Sequence, residues 1–191
     1  MRAAIVLAAG RSRRFGSANK LLARYRGKTL LRRSIEIALA APVARIVVVL
    51  GADRTRTGRV VRGIGTGRIS TTFAARHAEG RRFSLLAGLK SLRPGEAEAM
   101  IFLGDMPMLD RSIAHRLTKV ARDGPAIRAT YRNLPGHPVL IRDVGNAIRR
   151  LEDGAGPFEK DEIESVEAGR SVVHDIDRPG DLPRHPEPER P

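Results

Sequence analysis

Gly10-Arg11-Ser12-Arg13-Arg14 follows directly on an apolar run that ends at Ala9, and Lys20 comes shortly after Gly16. Backbone N–H groups freed in a turn after a buried strand point outward and can cradle phosphate oxygens, while arginine adds a bidentate charge. Lys20 would add a point charge on the same anion. The spacing fits neither the dinucleotide fingerprint nor the Walker loop with its Gly-Lys-Ser/Thr ending. An ordinary turn between strand and helix, carrying exposed arginines, has the same composition.

A second group of residues suits a hard cation. Gly104-Asp105-Met106-Pro107 follows the apolar run Met100–Leu103, so Asp105 stands where a buried strand would end. One carboxylate oxygen there can bind Mg²⁺ while waters and phosphate oxygens complete its octahedron. Pro107 stiffens the exit from the turn. Taken alone, such an aspartate is as readily a helix cap or turn former. Asp175 and Asp177, in His174-Asp175-Ile176-Asp177-Arg178-Pro179, offer a second carboxylate. Strand alternation would point both to the same side, so spacing does not separate them. We take Asp175 as the ligand and Asp177 as a helper or helix cap.

These residues need a scaffold that brings distant turns to one edge. Ala3–Ala9, Arg45–Leu50 and Ala99–Leu103 are short continuous apolar runs, which predict strands buried on both faces. Thr29 is a cap for a helix through Leu30, Leu31, Ile35 and Leu39, and Asp110 for one through Ile113, Leu117 and Val120 that ends near Gly124. Further strands are expected at Ile69–Ala75, Ala126–Arg132, Val139–Ile141 and Ser171–Ile176, with helices at Phe83–Leu92 and Asp143–Leu151. Strands alternating with helices predict a single doubly wound, Rossmann-like α/β domain with a mostly parallel sheet. Ligands in such sheets bind beyond the carboxyl ends of the strands, so the turns after Ala9, Leu50 and Leu103 should share one rim.

Composition narrows the class. With 191 residues and 41% hydrophobic content, the chain suffices for one well-cored domain, expected over residues 1–182, with a disordered tail rich in proline and charge at 183–191. The absence of cysteine excludes disulfides, thiolate metal sites and cysteine nucleophiles. The first residues lack the sustained apolar stretch of a signal peptide, and no apolar run approaches the roughly 20 residues of a membrane span. A cytoplasmic protein without a membrane partner is the expectation. The formal charge of +14 is carried mostly by arginines spread along the chain, and aromatic residues make up 4%. That distribution argues against a nucleic-acid partner and for a solvated basic surface, part of which serves small phosphorylated ligands.

The motifs also carry a resemblance. Leu7-Ala8-Ala9-Gly10 with Ser12, Arg14 and Gly16, followed by Lys20 and Leu21-Leu22, resembles the opening signature of the MobA-like nucleotidyltransferases. The LAAG form is closer to the molybdopterin cytidylyltransferase branch than to the guanylyltransferase branch, which usually carries LAGG. Gly104-Asp105-Met106-Pro107 and Gly136-His137-Pro138-Val139 resemble motifs of the same branch, while the closing Asp175-Ile176-Asp177-Arg178-Pro179 and Ser84-Leu85 before Ala87-Gly88-Leu89 resemble the family's D-x-D-x-P and S-L-x-x-G-L segments. The match covers most of residues 3–182. His77 stands where the family usually has asparagine, and Glu152-Asp153-Gly154-Ala155-Gly156 matches G-D-x-G-A-R loosely, without its arginine.

The resemblance implies a nucleotide-diphospho-sugar transferase-like fold and Mg²⁺-dependent transfer of CMP from CTP to the phosphate of molybdopterin cofactor, with a molybdenum hydroxylase as a candidate recipient of the product. Leu7, Ala8, Ala9 and Gly10 would contact base and ribose. Arg14 and Lys20 would hold the triphosphate, and His77 and Ser84 the rest of the nucleotide. Asp105 and Asp175 would hold the metal, making Arg14, Lys20 and Asp105 the catalytic group. His137 would meet the acceptor, or serve structurally before its strand, as His77 would in its loop. Another base, another phosphorylated acceptor such as a sugar phosphate or phospholactate, or a non-catalytic cofactor chaperone remain alternatives.

Overall fold

The apolar runs of the sequence lie side by side in one seven-stranded sheet of the computed structural model, which describes residues 1–16, 18–120, 124–159 and 161–182. The tail expected to be disordered, 183–191, lies outside the described residues. The strands are β1 (Arg2–Ala8), β4 (Arg45–Leu50), β5 (Ile69–Phe73), β6 (Glu98–Leu103), β7 (Ala126–Tyr131), β8 (Leu134–Ile141) and β9 (Ile163–Glu167). A small separate hairpin pairs β2 (Arg24–Tyr25) with β3 (Lys28–Thr29).

The sheet order is β5-β4-β1-β6-β8-β7-β9. β1 pairs in parallel with β4 and β6, β4 with β5, and β7 with β9; only β8 runs against its neighbours. Every residue of β4 is buried, as a central strand covered on both faces requires. The covering helices are α1 (Leu30–Leu39), α2 (Arg54–Arg62), α3 (Arg81–Lys90), α4 (Ser112–Thr118) and α5 (Val144–Glu152). Alternation along β1 divides the core. Ala4, Val6 and Ala8 face the layer of α1, α2 and α4, through Leu31, Ile35, Val61 and Leu117. Ile5 and Ala9 face α3 and α5, through Leu89, Ala147 and Leu151. This is the expected doubly wound α/β domain.

Local rules account for the helix starts. The Thr29 side chain accepts from Arg32 N at 3.3 Å, and the Asp143 side chain from Asn146 N at 2.9 Å. Asp110 Oδ1 accepts from Ser112 N at 2.8 Å, just ahead of α4. Among the described residues no helix is long and apolar enough to cross a membrane.

One expected element takes another form. Ser171–Ile176 is not a strand: Arg170–Val173 forms a single 3-10 turn and the chain then runs extended across the rim. Val172 is fully buried, and its carbonyl lies 2.4 Å from where a Cβ of Gly136 would stand. The segment therefore packs over β8, and its N–H groups bond within the turn and to the loop after β6. The β2–β3 hairpin, α2 and β9 were not anticipated. α2 hides its pattern behind four arginines and Gly58, with Val60 and Val61 as its apolar residues. β9 is a half-exposed edge strand whose partner decides its form.

Candidate active site

Four chain crossings meet at the carboxyl rim of the sheet. The turn after β1 is tied to the turn after β6 by Gly104 N donating to Leu7 O at 3.0 Å, and that turn to the C-terminal segment by Ile176 N donating to Asp105 O at 2.9 Å. Gly51, after β4, fits because it lacks a side chain: a Cβ there would stand 2.4 Å from Ala9 O. The turns after Ala9, Leu50 and Leu103 do share one rim. A cleft of about 350 Å³ opens there, lined by Leu7, Ala8, Ala9, Gly10, Arg14, Lys20, His77, Ser84, Asp105 and Asp177 among others.

The basic side chains are positioned by their local turns. Leu21 is buried, which fixes the 3-10 turn Lys20–Leu22 and sends Lys20 toward the cleft. The Asn19 side chain caps that turn, accepting from Leu21 N at 3.0 Å, and also donates to Asp53 Oδ2 at 3.2 Å. Lys20 Nζ reaches Asp105 Oδ2 at 2.5 Å and Asp177 Oδ1 at 2.7 Å. Burial opposes the ammonium charge, but the two carboxylates outweigh it and hold its pKa above the ordinary lysine value. Arg14, more exposed, places Nη1 2.6 Å from Asp177 Oδ2.

Ile176 explains why two further aspartates arrive at the same place. It is fully buried in a cluster with Tyr25 and Leu30, so its neighbours Asp175 and Asp177 are carried to the rim beside Asp105. Asp105, Asp175 and Asp177 can each bring an oxygen to within 4.8 Å of the others. This all-oxygen set suits Mg²⁺. Asp177 is engaged by Lys20 and Arg14, and these cations, against the penalty of burial, keep its pKa below the usual value. Asp175 forms no ion pair among the described residues, so it is the freest donor of the three, while Asp105 shares one oxygen with Lys20 alone. The N-cap position of the Pro179–Asp181 turn is Arg178, and Asp181 Oδ2 reaches back to accept from Asp177 N and Arg178 N at 2.9 and 2.7 Å. Asp177 itself is thus an anchor for Lys20 and Arg14.

The remaining predicted residues divide between cleft and flank. Ser84 is buried on α3 and faces the cleft, and His77 stands in a one-turn helix with Nδ1 buried and unbonded, its ring 6.2 Å from that of Phe73. His137 is not among the residues lining the cleft. Its Nδ1 lies 3.4 Å from Ile101 O, and burial, joined by the charges of Arg81 and Arg128, pulls its pKa down to about 4 against the pull of Asp175. The imidazole is therefore neutral at physiological pH. Sequence reasoning passed over Asn19, Asp53 and Arg81. A capping residue directly before Lys20 was the available signal for Asn19; nothing in the sequence marks the other two.

The mostly parallel, doubly wound sheet is shared with a solved nucleotidyl transferase of Methanothermobacter, at a TM-score of 0.69 and 21% identity over 95% of this chain and 94% of the other. Residues 4–164 match the MobA-like NTP transferase domain, and the chain belongs to that family. It is 30% identical to the molybdenum cofactor cytidylyltransferase of Escherichia coli, over 93% of this chain and 92% of that protein. It is 31% identical to the bifunctional protein GlmU of Rhodococcus opacus over 87% of this chain but only 36% of that protein, so it spans about a third of the GlmU relatives it matches. Among solved structures, the 4-diphosphocytidyl-2C-methyl-D-erythritol synthase of Anaerococcus prevotii superposes with a TM-score of 0.76 at 15% identity, covering 95% of this chain and 92% of the other.

Proposed function

We propose that the protein transfers CMP from CTP to the phosphate of molybdenum cofactor and releases pyrophosphate. The observation that carries this reading is the joining of Lys20 and Arg14 to carboxylates in the cleft that the open turn at Gly10 also lines. A Cβ at Gly10 would meet no protein atom within 4 Å, so the space above it suits close approach of a nucleotide. In this reading Leu7, Ala8, Ala9 and Gly10 seat the base and ribose, with His77 and Ser84 on the facing wall. Arg14 and Lys20 leave Asp177 in part to hold the β- and γ-phosphates. An oxygen of the acceptor phosphate forms a bond to the α-phosphorus as the bond to the bridging α–β oxygen breaks, and the electron pair leaves with pyrophosphate. Arg14 and Lys20 neutralise the charge that grows on the leaving group, and no covalent enzyme intermediate is needed. Mg²⁺, held by Asp105 and Asp175, would supply further charge neutralisation at the transferring phosphoryl group. The choice of CTP and of molybdenum cofactor is supported by the LAAG, GDMP and GHPV motifs and by the E. coli relative.

Pyrophosphate release with Mg²⁺ and each of the four NTPs, with and without molybdenum cofactor, tests this. Release with CTP that depends on the cofactor is expected. Release that instead requires another phosphorylated acceptor would favour the second reading, a MobA-like transferase of different acceptor, for which the missing arginine in Glu152–Gly156 speaks. In the same assay Asp105→Asn should lower turnover by a factor on the order of 10² or more with the circular dichroism unchanged; normal activity would remove Asp105 from the reaction.

A further inference from the structure

Among the described residues, Arg128 is a half-buried cation with no ion-pair partner. It faces Val139 across the β7–β8 pair, which puts it on the sheet face covered by α3 and α5. Its guanidinium lies 5.8 Å from the ring centre of Phe158, its Nε is buried without a hydrogen-bond partner, and no carboxylate among the described residues forms an ion pair with it. Burial lowers its pKa. Other enclosed cations here are matched: Arg45 lies 2.6 Å from Glu96, and Lys20 bridges two aspartates. Partly burying a guanidinium without an anion is costly, and the anion of a ligand would offset that cost.

Its place in the sheet says which anion. The turn with Arg14 and Lys20 follows β1, Asp105 follows β6, and Arg128 lies two strands further on, in β7. In strand order Asp105 thus falls between the two basic groups, with Arg128 level with Val139 and Ile101. Arg128 and Arg81 both lie close enough to His137 for their charges to act on its ring, as does Asp175. In-line displacement brings the nucleophile to phosphorus from the side opposite the leaving group. With pyrophosphate on the Arg14 and Lys20 side, an incoming phosphate arrives on the side of Arg128.

We propose that Arg128, aided by Arg81, holds the phosphomonoester of the acceptor and so determines which acceptors are used; this rests on the nucleotidyltransferase reading. Calorimetric titration of inorganic phosphate into protein saturated with CTP and Mg²⁺ tests it. Arg128→Gln should weaken phosphate binding at least tenfold and leave CTP affinity within twofold, with Arg128→Lys in between. In steady state the glutamine variant should raise the acceptor KM more than it lowers kcat. Its melting temperature should equal or exceed that of the wild type, because an uncompensated charge has been removed. Equal phosphate affinity in wild type and Arg128→Gln would overturn the proposal. A wild type that binds no CTP would defeat the nucleotidyltransferase reading instead, and the same comparison without nucleotide would still decide the role of Arg128.

Discussion

Lys20 Nζ sits on Asp105 Oδ2, a carboxylate that a divalent cation held by Asp105 and Asp175 would also use, so ammonium and metal compete for Asp105. Lys20→Met should therefore tighten Mg²⁺ binding in the absence of nucleotide by about tenfold, roughly 1.4 kcal/mol, read as a larger Mg²⁺-dependent rise in melting temperature than in the wild type. An equal rise in both proteins would show that the lysine does not screen the cluster. His137 makes a separate pH-dependent contribution. Its folded-state pKa of about 4 lies below the ordinary 6.5, so between these values the unfolded chain binds more protons than the folded one. Stability is complete above pH 6.5 and declines as pH falls toward 4, by on the order of 3 kcal/mol from this group. Chemical denaturation across that range should show the decline, and His137→Asn should flatten it.

At the level of elements, two glycines in helices give opposite expectations. Gly88 lets α3 press onto the sheet: a Cβ there would stand 2.7 Å from Ile5 Cγ2 and 3.0 Å from Val49 Cγ2. Gly88→Ala should cost roughly 1–3 kcal/mol by overpacking and shift the wall that carries Ser84. Gly58 in α2 would place its Cβ 3.5 Å from Arg62 Nη1 and 3.6 Å from Leu50 Cδ1, ordinary contacts. Gly58→Ala should stabilise by about 0.5–1 kcal/mol through helix propensity. Urea melts of the two variants check both signs. If Gly58→Ala destabilised the protein, the close fit of α2 on β4 would be tighter than these distances imply.

Over the whole molecule, 35 basic residues against 21 acidic ones surround a site whose ligands are anions. The summed field should speed nucleotide capture, and salt should weaken it. Between about 0.01 M and 0.15 M salt the Debye length falls from about 30 Å to about 8 Å, and the association rate for CTP should fall severalfold while the dissociation rate changes little. Stopped-flow binding at several ionic strengths measures this. A rate independent of salt would confine the effective charge to the residues lining the cleft.

The order of the chain alone determined the parallel sheet, because β1, β4 and β6 are apolar without interruption and only a sheet covered on both faces buries such strands. It also determined the helix starts at Thr29 and Asp143, where a short polar side chain meets free N–H groups within three residues, and that Gly10, Arg14, Lys20 and Asp105 would stand at turns after strands. Local pattern could not reach α2, whose arginines mask its period, or the form of Arg170–Val173, which follows from packing against Gly136 far away in sequence. Nor could it choose between Asp175 and Asp177. Their roles separate only once Ile176 is buried and Lys20 and Arg14, more than 150 residues earlier, close on Asp177. Charge on a side chain is written in the sequence, but whether it finds a partner depends on distances that tertiary packing sets, and this holds for Lys20 as it does for Arg128.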